Sequence, residues 1–208
     1  MSLKDKVKNS IQNQINARNR KMLRNLEPTL ICSNCTGGFL YHWLGLRFCS
    51  PFINLYMTPQ DFISMLEDFD NFMAHEIIED MNSGEEYPVG IGLHGERIHF
   101  MHYSSFEEAI EKWKNRKERM NLENVGVMLT NFTGGAELLE RFENLPFKHK
   151  VCFTSKDYSE YPHTFHIQGY NPKSGKNLYT TQSITGKRYI DQFDYVQFIN
   201  HLDERKTI

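Results

Sequence analysis

With 208 residues, 39% of them hydrophobic and 13% aromatic, the chain carries enough apolar material to bury a core without disulfides or a structural metal, which excludes a disordered chain. A formal net charge of −2 excludes the overall basicity of a dedicated nucleic-acid binder, and no apolar run approaches the ~18 residues of a membrane span. Residues 1–26 lack the short apolar core of a secretory signal, so the four Cys are expected as reduced thiols of a cytoplasmic protein.

Residues 1–28 read as a basic amphipathic helix ahead of a single α/β domain over residues 29–208. Seven Lys or Arg (Lys4, Lys6, Lys8, Arg18, Arg20, Lys21, Arg24) stand against Asp5 and Glu27. Val7, Ile11 and Ile15 recur every four residues, the spacing of one helix face. Such a helix either packs along one face with the other in solvent, or makes a peripheral contact with the inner face of an anionic membrane.

The short apolar run Thr29-Leu30-Ile31-Cys32-Ser33 predicts a buried strand, and Asn34-Cys35-Thr36-Gly37-Gly38 a turn into a helix ending near Leu46. A second strand is expected over residues 53–57. Thr58 then caps a helix with Pro59 in its first turn and Asp61 at its positive end. Residues 71–86 read as helix before a loop, and residues 89–93 and 97–102 as two strands of a small hairpin insertion. Ser105 and Glu108 form a capping box ahead of a helix whose apolar face holds Phe106, Ala109, Ile110, Trp113 and Met120. Strand 125–130, turn 131–135, helix 136–142 and strand 151–154 follow. Residues 155–188 are rich in turns, and residues 189–202 read as a closing helix. Strands alternating with helices predict a three-layer α/β fold, a mostly parallel sheet with helices on both faces.

Three constellations can carry chemistry. In the first, Asn34, Cys35, Gly37 and Gly38 lie where a strand turns into a helix, the place where α/β folds hold ligands. The glycines permit close backbone approach. Free helix-start amides bind an anion or oxyanion, and they favour a Cys35 thiolate. The alternative is a tight turn around a small buried Cys. Cys32 and Cys35 also make a CxxC, readable as a redox pair or, with His42 and Cys49, as half of a zinc site. Both readings are weak, because Cys32 lies within the strand and nothing completes a zinc knuckle. No metal is assigned.

The second is Arg97-Ile98-His99-Phe100-Met101-His102-Tyr103. Strand alternation puts His102 with Phe100 and Ile98, and His99 with Met101 and Tyr103. His102, at a strand end before a helix, is the candidate base, with His99 and Tyr103 as substrate contacts. The third is Trp113 with Lys112, Arg116 and Arg119 on one helix, where the two arginines suit a phosphate or carboxylate. The plainer reading is a solvated basic face.

These residues resemble the bacterial exopolysaccharide-biosynthesis domain of unknown function numbered 1919. The resemblance rests on Ser33-Asn34-Cys35-Thr36-Gly37-Gly38, Tyr41, Leu44-Gly45-Leu46, Ser50-Pro51 and Tyr87-Pro88-Val89-Gly90. It continues through Ile98-His99-Phe100-Met101-His102-Tyr103, Glu107-Glu108-Ala109, Lys112-Trp113, Arg116, Arg119, Asn121 and Leu145-Pro146-Phe147-Lys148. The chain departs from the family at Asn131-Phe132-Thr133-Gly134-Gly135, where members often carry an acidic, Cys-containing turn. It also departs at Glu96, which only approximates an acidic residue before the His-bearing strand. The resemblance implies a product of a capsule or exopolysaccharide gene cluster, in a family with no settled reaction whose members are loosely described as acyltransferases. Together with the thiol at the Gly-rich turn and the two His, it leads to the expectation of a transferase, by O-acyl transfer to a sugar hydroxyl. Cys35 or nearby amides would hold the acyl carbonyl, His102 would take the proton, and Arg116 and Arg119 would bind a phosphate. The expected partners are a sugar or lipid-linked saccharide and an acyl-coenzyme A donor, with no cofactor firmly implied and no nucleic acid. A nucleotide-sugar glycosyltransferase and a non-catalytic assembly factor are the alternatives.

Overall fold

The computed structural model describes residues 2–132, 135–182 and 185–202. Four parallel strands build its central sheet in the order β1 (Thr29–Cys32), β5 (Val125–Thr130), β6 (Lys150–Thr154) and β7 (Thr164–His166). Their side chains alternate between two apolar clusters. Ile31, Val127, Leu129 and Cys152 enter one, while Leu30, Cys32, Met128, Val151 and Phe153 enter the other. Strands buried on both faces read as continuous apolar runs, which is how β1 and β5 read in the sequence.

Helices cover both faces. The first cluster takes the apolar sides of α3 (Pro59–Glu67), α4 (Phe69–Ala74), α5 (Phe106–Lys117) and α6 (Ala136–Glu143). The second takes α2 (Thr36–Leu44) and α7 (Tyr195–His201). Full burial of one large apolar side chain contributes on the order of 2 kcal/mol. Thr58 and Ser105 cap α3 and α5 by accepting the amides of Asp61 and Glu108. The Glu108 carboxylate reaches back to Ser104 rather than to Ser105, so the expected capping box is shifted by one residue.

A small antiparallel sheet of β2 (Ile78–Glu79), β3 (Val89–Ile91) and β4 (Arg97–His99) stands beside the main one. It contains the expected hairpin, while the helix expected over 71–86 shortens to α4 and gives way to β2. Residues 53–57 form no strand. Tyr56 pairs with His99 in a single antiparallel bridge, and the neighbouring Met57 amide donates to the Ser33 carbonyl at 2.9 Å. One extended lane therefore joins the small sheet to the end of β1. The closing helix begins later than expected, since Tyr189–Gln192 is a 3₁₀ turn.

The first helix, α1 (Leu3–Met22), has no buried residue. Of the apolar stripe read from sequence, Ile11 and Ile15 are half-buried and Ile11 packs against Gly186, whereas Val7 is exposed, and amides on the same side add hydrogen bonds. Gln12 donates to Thr181, Asn16 accepts from Arg188, and Asn19 donates to Tyr195. Arg188 is 1% exposed, bonded to Asp191 through Nε and Nη2, and lies over the Trp43 ring at 3.6 Å.

Candidate functional site

α2 leaves β1 on one face of the sheet and α6 leaves β5 on the other. Adjacent parallel strands whose following helices part to opposite faces leave a crevice at their carboxyl ends. Ser33 and Asn34 supply one rim and Thr130 the other. The Thr130 amide donates to Ser33 Oγ at 3.1 Å, and Asn34 Nδ2 donates to Thr130 Oγ1 at 3.0 Å. Thr133 and Gly134, within the turn that departs from the family pattern, lie outside the described residues.

Cys35 stands at the crevice but not as an activated thiol. It is 6% exposed, its Sγ lies 3.8 Å from the Leu55 carbonyl, and burial raises its pKa above the ordinary thiol value. The helix start does little to oppose this, because its first amides are engaged. Thr36 donates to Asn34 Oδ1 at 3.0 Å, and the Gly37 amide donates to the Cys32 sulfur. The anion cradle expected at Asn34, Gly37 and Gly38 is thus filled by the chain itself at two of its amides. Gly37 does provide close approach, since a Cβ there would meet Cys32 Sγ at 2.8 Å, whereas a Cβ on Gly38 would meet only ordinary contacts. All four cysteines are free and buried, and among the described residues no group of three His, Cys, Asp or Glu could hold a metal ion.

The two histidines take places opposite to those expected. β4 ends at His99, so strand alternation does not reach His102, which is exposed in the following turn and makes no hydrogen bond with Cys35. His99 is 9% exposed and held on both edges. Its backbone exchanges hydrogen bonds with Tyr56 at 2.8 and 2.9 Å, and its Nδ1 faces Tyr87 Oη at 3.4 Å. The Tyr56 and Tyr87 ring centroids lie 5.7 and 5.9 Å from the imidazole. Nε2 makes no hydrogen bond among the described residues. Burial, aided by Arg97 and opposed by Glu85 and Asp61, lowers the His99 pKa and keeps the ring neutral near pH 7.

The remaining expected contacts are largely structural. Tyr103 is buried and donates to the Ile53 carbonyl at 2.9 Å, and Arg116 donates to its hydroxyl at 2.6 Å. Arg119 donates to the Phe48 carbonyl at 3.1 Å. Arg116 also lies over the Phe48 ring at 5.4 Å, so the two arginines fasten the loop after α2 to the end of α5 and the turn that follows it. Trp113 packs against Phe52, Phe72 and Phe100, and its edge lines a cleft of about 220 Å³ with His75, Ile110 and Lys117, away from Cys35.

Sequence reasoning missed Tyr56, although its place between the buried Leu55 and Met57 marks it as outward-facing. It also missed Phe39, stacked on Tyr179 at 4.1 Å one turn beyond Cys35 on α2. Only the fold brings residue 179 there, so no local signal could have found that pair.

The sequence also matches a protein-family model described as a domain of unknown function, DUF1919, over residues 6–200. An uncharacterized protein of Haemophilus influenzae is 38% identical over 202 residues, covering 94% of this chain and 97% of its own length. The crevice, the Tyr56–His99–Tyr87 group and the α1 dock all fall within the matched span, and the chain belongs to the DUF1919 family.

Proposed function

We propose that the protein transfers an acyl group from a coenzyme A thioester to a sugar hydroxyl, the sugar being a precursor of a cell-surface polysaccharide. The observation that carries this reading is His99, a neutral buried imidazole clamped between two tyrosines, with Nε2 uncommitted, two lanes from the end of β1. Neighbouring lanes lie about 4.8 Å apart, so the His99 backbone is on the order of 10 Å from Ser33, within the reach of one bound sugar. Tyr56, 37% exposed, offers a ring and a hydroxyl to such a ligand.

In this reading His99 Nε2 takes the sugar hydroxyl proton as the oxygen attacks the thioester carbonyl. The carbon–sulfur bond breaks, and the departing thiolate takes that proton back. Transfer is direct, because a buried thiol with a raised pKa makes Cys35 a poor nucleophile. The test is release of free coenzyme A from acyl-coenzyme A in the presence of mixed saccharides. His99→Gln should lower it about 100-fold or more. A variant with undiminished turnover would rule out His99 as the base.

A further inference from the structure

We propose that the outward face of α1 rests on an anionic lipid surface. This rests on the helix alone and is independent of the chemistry at His99. α1 has 20 residues, about 30 Å of helix, and its body-facing side is occupied by Ile11, Gln12, Ile15, Asn16 and Asn19. Leu3, Val7, Gln14, Arg18 and Lys21 follow at spacings of four, seven, four and three, which places them within an arc of about 60° at 100° per residue. All five are exposed, Leu3 at 78% and Val7 at 52%, and the arc faces solvent except at Arg18, which borders a cleft against residues 191–196.

The charge on this face is of one sign. Lys6 flanks the arc, and Lys6, Arg18 and Lys21 make no hydrogen bond or ion pair among the described residues. Asp5, the one acid of the helix, lies on another side and is bound to Ser2 in a capping box. Two apolar side chains at one end of a basic stripe suit a bilayer. The apolar pair enters the acyl boundary, and the long basic side chains reach the anionic headgroups. A second copy would set positive charge against positive charge, and a nucleic acid would leave Leu3 and Val7 without a role.

The experiment is co-sedimentation of the full chain with vesicles of phosphatidylcholine alone and of phosphatidylcholine mixed with phosphatidylglycerol. Binding is expected to the mixed vesicles, with little to the neutral ones. At roughly fivefold per basic residue, the triple variant Lys6→Gln, Arg18→Gln, Lys21→Gln should weaken it on the order of 100-fold. Leu3→Ser with Val7→Ser should weaken it as well. These side chains are exposed and the three basic ones make no hydrogen bond or ion pair among the described residues, so thermal melting should be little changed in both variants. Equal sedimentation with the two vesicles, none with either, or full binding by the triple variant would overturn the proposal. So would tighter binding to single-stranded RNA than to the mixed vesicles, or a dimer that Leu3→Ser with Val7→Ser dissolves.

Discussion

Tyr56 and His99 exchange both of their backbone hydrogen bonds, and this single bridge ties the small antiparallel sheet to the carboxyl end of β1. The pairing places the imidazole beside the crevice although 43 residues separate the two in sequence. It also explains why the more exposed His102, three residues on, has no comparable setting. If His99 is the base, His102→Ala should change turnover by less than about twofold, and Cys35→Ala should leave most of the activity, in contrast to the loss expected for His99→Gln. Coenzyme A release by the three variants, each checked for an unchanged melting temperature, measures this. A dead Cys35→Ala protein with an intact fold would restore the covalent route.

The buried imidazole also predicts a pH dependence. Burial sets the folded-state pKa of His99 below its ordinary value of 6.5. Between those two values the unfolded chain holds a proton that the folded chain does not. Its contribution to stability therefore falls as pH drops below 6.5 and levels off below the folded pKa. Urea midpoints taken across this range should decline toward acid, and His99→Gln should flatten the decline. The acid limb of turnover should likewise have its midpoint below 6.5. A midpoint above 6.5 would mean that another group controls it.

Gly37 and Cys32 form a second close relationship. A methyl on Gly37 would lie 2.8 Å from the Cys32 sulfur and 3.2 Å from its Cβ. Gly37→Ala should therefore destabilise the protein by about 1–3 kcal/mol, and adding Cys32→Ala should recover part of that loss. A double-mutant cycle from denaturant unfolding reads the coupling, and strict additivity would deny the contact.

Arg188 and Asp191 are a buried ion pair, with side chains 1% and 5% exposed. Arg188→Met leaves the Asp191 carboxylate without its partner, and a loss of about 3 kcal/mol is expected. Because Arg188 also holds Asn16, limited proteolysis should cut within α1 faster in the variant. An unchanged cleavage rate would show that α1 is held by its other contacts.

Much of the fold was legible because local signals agree with tertiary ones. β1, β5 and β6 are apolar runs bounded by turns, and Thr58 and Ser105 cap the helices they were expected to cap. The turn from β1 into α2 was legible too, since Ser33–Gly38 reads as a strand-to-helix turn. The roles within it were not. Whether Cys35 is a thiolate depends on burial and on which partners occupy the neighbouring amides, and both are set by residues 54–57 and by Cys32. The choice between His99 and His102 turned on where β4 ends, which is decided by pairing with Tyr56 rather than by residues 97–103 themselves. The docking side of α1 was legible in part, through half-buried Ile11 and Ile15, while the hydrogen bonds of Gln12, Asn16 and Asn19 escaped the hydrophobic pattern, which counts such residues as solvent-facing.

The most direct test of the site is a thermal-shift panel on the purified protein, with acyl-coenzyme A thioesters set against nucleotide sugars. A ligand at 100 times its dissociation constant adds about 2.7 kcal/mol of stability. The account predicts a rise in melting temperature with an acyl thioester. A rise with nucleotide sugars alone, or with neither class of donor, would contradict acyl transfer at this crevice.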